Sequence, residues 1–454
     1  MNRDEEVRSQ LHSLIDPDAR RDLGTLGALK DLRVDDGGRV ALTIELANPA
    51  GPGRAALEAE AEARLRRLPW VTDVTLFIAP RPRAAAAPTP PARPPALAKV
   101  AHILAVSSCK GGVGKSTVAV NLAFALKQAG ARVGLFDADV YGPSLPTMVN
   151  PEQKDVHVVG DLIQPLHYEG VRLMSFGYVN TGPQSGPAIM RGPMVSQVIN
   201  QLLTTTAWGE LDYLVIDFPP GTGDIQLTLL QLVPISAAVI VTTPQQLSFV
   251  DVVKGIQMFD KLKVPTIAVV ENMSYYQCPK CGDRQFLFGQ GARRQLVEQF
   301  GIRNSFEIPI YPAISRQGDA GRPVVLAHAG EPVAAHYGEV AVAVQRELAA
   351  LRAGETARPT LRYQAGVGII VSQPGAPERR VSAAALRRRC RCAHCVEEFS
   401  GRPLLKPESV SESIYPTAFQ PMGNYAVAIT WSDGHNSSIY PYETILDCAE
   451  PAAK

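Results

Sequence analysis

The sequence predicts an α/β protein built on a mostly parallel, doubly wound sheet. A small N-terminal α/β domain and a small β-rich C-terminal domain flank it. Three observations predict this. Between about residues 100 and 350, short apolar runs alternate with segments of helical spacing, as in a parallel sheet covered on both faces. A glycine-rich loop at 107–117 joins the first run to the first helix, at the strand end where open α/β sheets bind ligands. Seven prolines within 79–98 set off an N-terminal unit, and a cysteine cluster marks a C-terminal one.

The first unit, 1–78, has helical spacing at Val7–Ile15, broken by Asp16-Pro17-Asp18. Residues Val40–Leu46 alternate as a half-buried strand, Ala55–Leu68 favours helix, and Val71–Ile78 reads as a second strand. Through Asp16-Pro17, Leu23-Gly24-Thr25-Leu26-Gly27 and Asn48-Pro49-Ala50 it resembles the small domain of many iron–sulfur assembly proteins. That family usually carries a cysteine directly after the turn, where this chain has Gly51, so the domain is assigned no ligand and a protein-interaction role. The segment 79–98 is a semi-extended tether.

In the third stretch, 99–353, strands are expected at Ile103–Ser107, Arg132–Phe136, Arg172–Phe176, Tyr213–Asp217, Ala238–Thr242 and Thr266–Val270. Helices are expected at Ser116–Ala129, Met194–Thr206, Asp224–Leu232, Ser248–Lys261, Ala292–Phe300 and Val333–Leu351. The loop Lys110-Gly111-Gly112-Val113-Gly114-Lys115-Ser116-Thr117 can aim backbone N–H groups at a phosphate chain, aided by the helix N-terminus. The glycines allow close approach, Lys115 brings a positive charge, and the Ser116 hydroxyl can complete a Mg²⁺ shell. This is a P-loop NTPase signature, implying ATP and Mg²⁺.

Lys110 makes the loop resemble the deviant Walker A loop of the dimeric MinD and ParA ATPases. The resemblance implies that Lys110 reaches the partner subunit's nucleotide, so that ATP is read through dimer formation. Strand ends at Asp137-Ala138-Asp139 and at Asp217 place carboxylates beside the loop, where they can hold a Mg²⁺ water shell and orient a water. By resemblance Asp139 positions the attacking water, Asp217 is the Walker B acid, Pro219–Gly223 is the second switch, and Asn272 recognises the base.

Cys278-Pro279-Lys280-Cys281 offers two thiolates to one metal or cluster face, which is half a four-coordinate site. A two-fold homodimer would join two such pairs. Four thiolates suit a [4Fe–4S] cluster or one zinc; a thioredoxin-like redox pair is a third possibility, disfavoured by its surroundings. Lys110–Thr117, Phe136–Pro146, Met190–Pro193, Asp217–Asp224 and Glu271–Gly282 together resemble the ApbC/Mrp iron–sulfur carrier ATPases over about 100–350. The resemblance implies a [4Fe–4S] cluster held across a homodimer by Cys278 and Cys281 and passed to apoproteins, with a scaffold or donor upstream. With its flanking domains the chain resembles the three-domain chloroplast form, which shares Cys109 but lacks the Cys-x-x-Cys pair. Cys109 is read as a small loop residue.

The last unit, 358–454, has strand-like stretches at Gly368–Val371 and Tyr425–Trp431 and three thiols in Cys390-x-Cys392-x-x-Cys395 spacing, strong grounds for a metal. It resembles the N-terminal domain of γ-butyrobetaine hydroxylases, which implies structural Zn²⁺ on Cys390, Cys392, Cys395 and His435, in preference to His394. Cys448 reads as incidental, and the basic run Arg387-Arg388-Arg389 with Arg391 reads as a solvated surface.

A net charge of +1 gives no field favouring nucleic acid or an anionic membrane. No apolar run approaches the ~20 residues of a membrane span. The acidic N-terminus lacks a signal-peptide core, and the clustered cysteines suit a reducing compartment, so a cytoplasmic location is expected. The leading function is an ATP-dependent iron–sulfur carrier or scaffold. The alternatives are a MinD/ParA-type positioning ATPase, a zinc-bridged client-targeting ATPase, or a non-enzymatic adaptor.

Overall fold

The computed structural model describes all residues except 1–2, 25, 36, 81–92, 181–189, 191, 222, 291–301, 303, 354–357, 393, 398–401, 423–424 and 452–454. The helix expected at Ala292–Phe300 therefore lies outside the described residues, as do Thr222 of the second switch and most of the proline-rich stretch. The chain forms two compact units, Met1–Thr89 and Pro90–Lys454.

In the first unit, strands Leu29–Val34, Arg39–Leu46 and Asp73–Pro80 form a sheet in that order. Val40, Leu42, Ile44 and Leu46 turn inward from the alternating middle strand and pack with Val7 and Leu11 of helix Arg3–His12 and Leu57, Ala61 and Leu65 of helix Arg54–Leu65. Asp16 is fully buried, and its carboxylate accepts from the N–H groups of Asp18, Ala19 and Ala47, fixing the turn. At Gly51 a Cβ would lie 2.7 Å from Asp18 Oδ2. The strand Leu29–Val34 has no counterpart among the sequence-based expectations, because charged residues break its apolar alternation.

In the second unit a nine-stranded sheet runs Leu166–Tyr168, Val171–Ser175, Val133–Asp137, Leu211–Asp217, Val100–Ser107, Ala237–Thr242, Thr266–Gln277 and Arg284–Gln285, with Ser305–Ile310 also pairing on Thr266–Gln277. Six pairings are parallel; the edge strands Leu166–Tyr168 and Arg284–Gln285 pair antiparallel. Along the first strand, Leu104 and Val106 pack under helices Lys115–Gln128 and Pro332–Ala353. Ile103 and Ala105 face helices Gly192–Thr205 and Gln246–Lys261. Burying both faces is what makes these strands read as continuous apolar runs. No described helix is long and apolar enough to cross a membrane.

One expected strand is much longer than its apolar run. Thr266–Gln277 continues past Val270 through buried Glu271, Asn272 and Ser274, with a left-handed Met273 (φ 56°) where its register on Ser305–Ile310 shifts. Polar residues in that half concealed it from a hydrophobicity pattern.

The C-terminal region holds antiparallel strands Thr360–Gln364, Gly368–Ser372, Arg379–Val381 and Glu450–Pro451, and a second sheet of Pro416–Met422, Ala426–Trp431 and Ser438–Pro441. Met422 and Ala426 are buried in the same apolar cluster as Val252, Ile256 and Phe259 of helix Gln246–Lys261. The region thus shares a core with the large sheet. The expectation of a solvated basic run fails at Arg387, which is 5 % exposed, and at Arg388, which bonds the carbonyls of Pro407 and Val410 and pairs with Glu412.

Candidate functional site

The phosphate loop leaves strand Val100–Ser107 and enters helix Lys115–Gln128 through Gly114, whose left-handed φ of 82° favours glycine. A Cβ at Gly114 would meet Asn272 Nδ2 at 2.2 Å, whereas one at Gly111 or Gly112 would meet nothing within 4 Å. The loop is therefore braced beneath and open above, a cradle with room for a phosphate chain. Asn272 is the brace: its Nδ2 donates to the Val113 carbonyl at 2.9 Å. Ser108 Oγ bonds the Lys110 carbonyl at 2.8 Å, and Lys110 and Thr117 are half-buried. Cys109 Sγ fills a notch over Gly255, where a Cβ would lie 2.5 Å away.

Lys115 is 6 % exposed, with its ammonium on Asp217 Oδ1 and 3.2 Å from Ser116 Oγ. Burial pushes Asp217 above the ordinary carboxylate range, and the Lys115 charge pulls it back. The neighbouring strand ends at Asp137, paired in register with Asp217. Asp137 accepts from the N–H groups of Asp139, Ser144 and Leu145 and from Ser175 Oγ. Burial, then the Asp217 charge, lifts Asp137 to about 7. Asp139 is half-buried and accepts from the Gly142 N–H at 3.2 Å. Asp137, one of the strand-end carboxylates read beside the loop but given no role of its own there, is thus the acid that pairs with Asp217 across the two strands.

Six residues beyond Asn272, the same strand delivers Cys278 to a tight turn. Its N–H donates to the Asp283 carbonyl, and its carbonyl accepts from Gly282, which has φ 74°. The backbone N–H groups of Cys281 and Lys280 point at the Cys278 sulfur and pull its thiol below the ordinary range. This turn is pre-shaped for a thiolate. Cys278 is half-buried and Cys281 exposed. Buried Tyr275 anchors the hairpin, with the Arg284 guanidinium 4.5 Å from its ring centroid and Phe286 at 6.0 Å.

Cys390, Cys392 and Cys395 are buried, and with His435 they form a group whose ligand atoms all lie within 4.8 Å of one another. His435 Nε2 is 3.4, 3.4 and 3.8 Å from the three sulfurs. A tetrahedral ion with bonds of ~2.3 Å to sulfur and ~2.0 Å to nitrogen puts such atoms about 3.5 Å apart, so the set fits one ion. Hydrogen bonding holds the crowded thiols apart in acidity, Cys390 high and Cys392 low. Arg387 Nη1 donates to Cys395 Sγ at 3.4 Å and its Nε to Asp433 Oδ2 at 3.0 Å, while Asp433 Oδ1 accepts from the His435 N–H. Ser437 Oγ donates to Cys392 Sγ. His394 stands outside the group, against Ser437.

A model of the NUBPL iron-transfer P-loop NTPases of ParA type matches residues 99–345. A γ-butyrobetaine hydroxylase-like N-terminal model matches 370–446, and an iron–sulfur cluster assembly protein model matches 4–76. The chain is 47 % identical over 448 residues to the chloroplastic Fe–S cluster assembly factor HCF101 of Arabidopsis thaliana, covering 97 % of this chain and 82 % of the relative. It is 43 % identical over 320 residues to the iron–sulfur cluster carrier protein of Deinococcus radiodurans, covering 70 % of this chain and 88 % of that one. A solved nucleotide-binding protein from Archaeoglobus fulgidus, in complex with ADP, is 38 % identical with a TM-score of 0.46, over 52 % of this chain and 92 % of that one.

Proposed function

The chain belongs to the iron-transfer P-loop NTPases of ParA type, and from that premise we propose that it is an ATP-dependent iron–sulfur cluster carrier acting as a homodimer. One observation carries the reading. A single strand, Thr266–Gln277, braces the phosphate loop through Asn272 and ends at the thiolate turn of Cys278 and Cys281. The two sites share a backbone about 20 Å long at most.

Lys110 to Thr117 cradle the triphosphate; Asn272 holds the loop from below, and its role in recognising the base is carried over from the family resemblance. Lys115 and Asp217 neutralise each other; a triphosphate offers the ammonium a denser anion, freeing Asp217. Ser116 and Asp217 would hold Mg²⁺, which supplies charge neutralisation at the phosphates. Asp139, held by the Gly142 N–H, orients the attacking water, and Lys110 acts on the partner subunit's nucleotide. Cys278 and Cys281 of each subunit hold the cargo, a [4Fe–4S] cluster, for transfer to apoproteins after loading by a scaffold or donor. Cys390, Cys392, Cys395 and His435 would hold a structural Zn²⁺, which would supply a cross-link between the loop after helix Ala383–Arg388 and the turn after strand Ala426–Trp431. We divide the chain at 1–78, 79–98, 99–353 and 358–454, and place it in a reducing compartment such as the cytoplasm.

Anaerobic transfer to an apo-ferredoxin tests the coupling. With ATP, transfer from the reconstituted parent changes in rate, whereas Lys115→Ala transfers at one rate with or without ATP. Transfer by the parent that ignores ATP overturns the gating. Zinc in place of iron at Cys278 and Cys281 would select the client-targeting alternative.

A further inference from the structure

Gln226 sits in the first turn of helix Asp224–Leu232, directly after the second switch, and is 1 % exposed. Its Nε2 donates to the Pro219 carbonyl at 2.5 Å, and its Oε1 is buried without a hydrogen-bond partner among the described residues. Buried acceptors of this kind are rare, and each needs a reason. Packing alone is not one, because an apolar side chain would fill the space beside Leu229 and Leu230 with no polar group to desolvate.

Pro219 opens the second switch. Two residues on, Gly221 takes a left-handed φ of 95° and donates its N–H to the Ser108 carbonyl of the phosphate loop at 3.1 Å. Ser108 Oγ in turn bonds the Lys110 carbonyl. Gln226 thus grips one end of a short segment whose other end is hydrogen-bonded to the loop.

We propose that Gln226 is a positioning residue for the second switch: its grip on the Pro219 carbonyl aims the Gly221 N–H, and its unpaired Oε1, three residues beyond the helix-capping Gly223, is the acceptor that receives the Gly223 N–H when Gly221 leaves Ser108 for the terminal phosphate. The role rests on the reading of the chain as an ATPase. It explains why a glutamine occupies a fully buried site. The donor holds the switch in one arrangement and the spare acceptor stabilises the other, so neither is over-stabilised.

The test uses the full-length protein and Gln226→Leu, which keeps the volume and removes both polar groups. Mg-ADP, which lacks the terminal phosphate, is measured by equilibrium binding; Mg-ATP is measured by steady-state turnover. The expected result is ADP affinity within about twofold of the parent and an ATP kcat about 10- to 100-fold lower, with KM within about threefold. Gln226→Glu regains activity over Gln226→Leu as pH falls, because the protonated carboxyl can again donate to Pro219. Turnover by Gln226→Leu equal to the parent's overturns the role. So does a matching loss of ADP affinity, kcat and Tm, which is what a packing residue gives. A parent that binds neither nucleotide overturns the ATPase reading itself, before any variant is compared.

Discussion

The two cysteine centres of this chain are opposites. At Cys390, Cys392, Cys395 and His435 one chain supplies four ligand atoms, the sulfurs are buried, and Arg387, Asp433 and Ser437 bind the ligands from behind. At Cys278 and Cys281 the chain supplies two, on an exposed turn whose preparation is two backbone N–H groups aimed at one sulfur. On the proposed reading, a centre closed by its own chain would keep its metal, and a half-centre at the surface would share and release one. The contrast extends to the backbone. The closed centre lies in a region packed onto the large sheet's core through Met422 and Ala426, whereas the half-centre hangs from the strand that braces the phosphate loop.

The sharpest way to break the contrast is to remove a ligand from the closed centre. Cys392→Ala should abolish zinc retention, since structural zinc sites contribute roughly 10–16 kcal/mol of apparent binding free energy to folding. Hydrogen exchange should then rise across the C-terminal sheets and spread to helix Gln246–Lys261. Unchanged protection there would mean that the four residues do not hold a structural ion. The same experiment on Cys278→Ser with Cys281→Ser should leave exchange and zinc as in the parent, because neither side chain is in a buried apolar cluster, and surface substitutions of this kind stay within about 0.5 kcal/mol.

A smaller change sharpens the comparison. Arg387→Leu fits the buried volume but removes the donor to Cys395 and the partner of Asp433, and should weaken zinc binding about 10- to 100-fold in a chelator competition. Affinity equal to the parent's would reduce Arg387 to packing.

Much of this was legible in the sequence, because glycine and lysine spacing, strand-end acids and cysteine spacing are local. Lys115, a strand-end acid at Asp217 and the three thiols at Cys390, Cys392 and Cys395 could be read along the chain, whereas the choice of His435 came with the resemblance to the γ-butyrobetaine hydroxylase N-terminal domain. Non-local facts were not legible. A run of arginines looks solvated until a fold buries Arg387 behind a sulfur. A strand that turns polar after Val270 hides its continuation, and with it the link from Asn272 to Cys278. The bond from the Asn272 amide to the Val113 carbonyl joins residues 159 positions apart, which no local pattern shows. Gln226 carried no pattern at all.

The smallest effect concerns acid–base balance at the nucleotide site. Asp137 has its folded pKa raised from an ordinary 3.8 to about 7, so the folded protein binds more protons than the unfolded chain between those values. Its contribution to stability is therefore full below about pH 4 and is lost as pH rises to about 7. Between these limits the parent should lose stability relative to Asp137→Asn, read as diverging denaturant midpoints. A constant difference across that range would place the titration elsewhere.

Whether one centre keeps its metal while the other holds cargo is read directly from iron, sulfide and zinc per chain, measured anaerobically before and after a chelator. The parent should hold one zinc that survives the chelator, with about two irons and two sulfides per chain that do not, as a four-iron cluster shared by two subunits requires. Cys278→Ser with Cys281→Ser should lose the iron and sulfide and keep the zinc. Iron and sulfide bound equally by that variant and the parent would contradict the account.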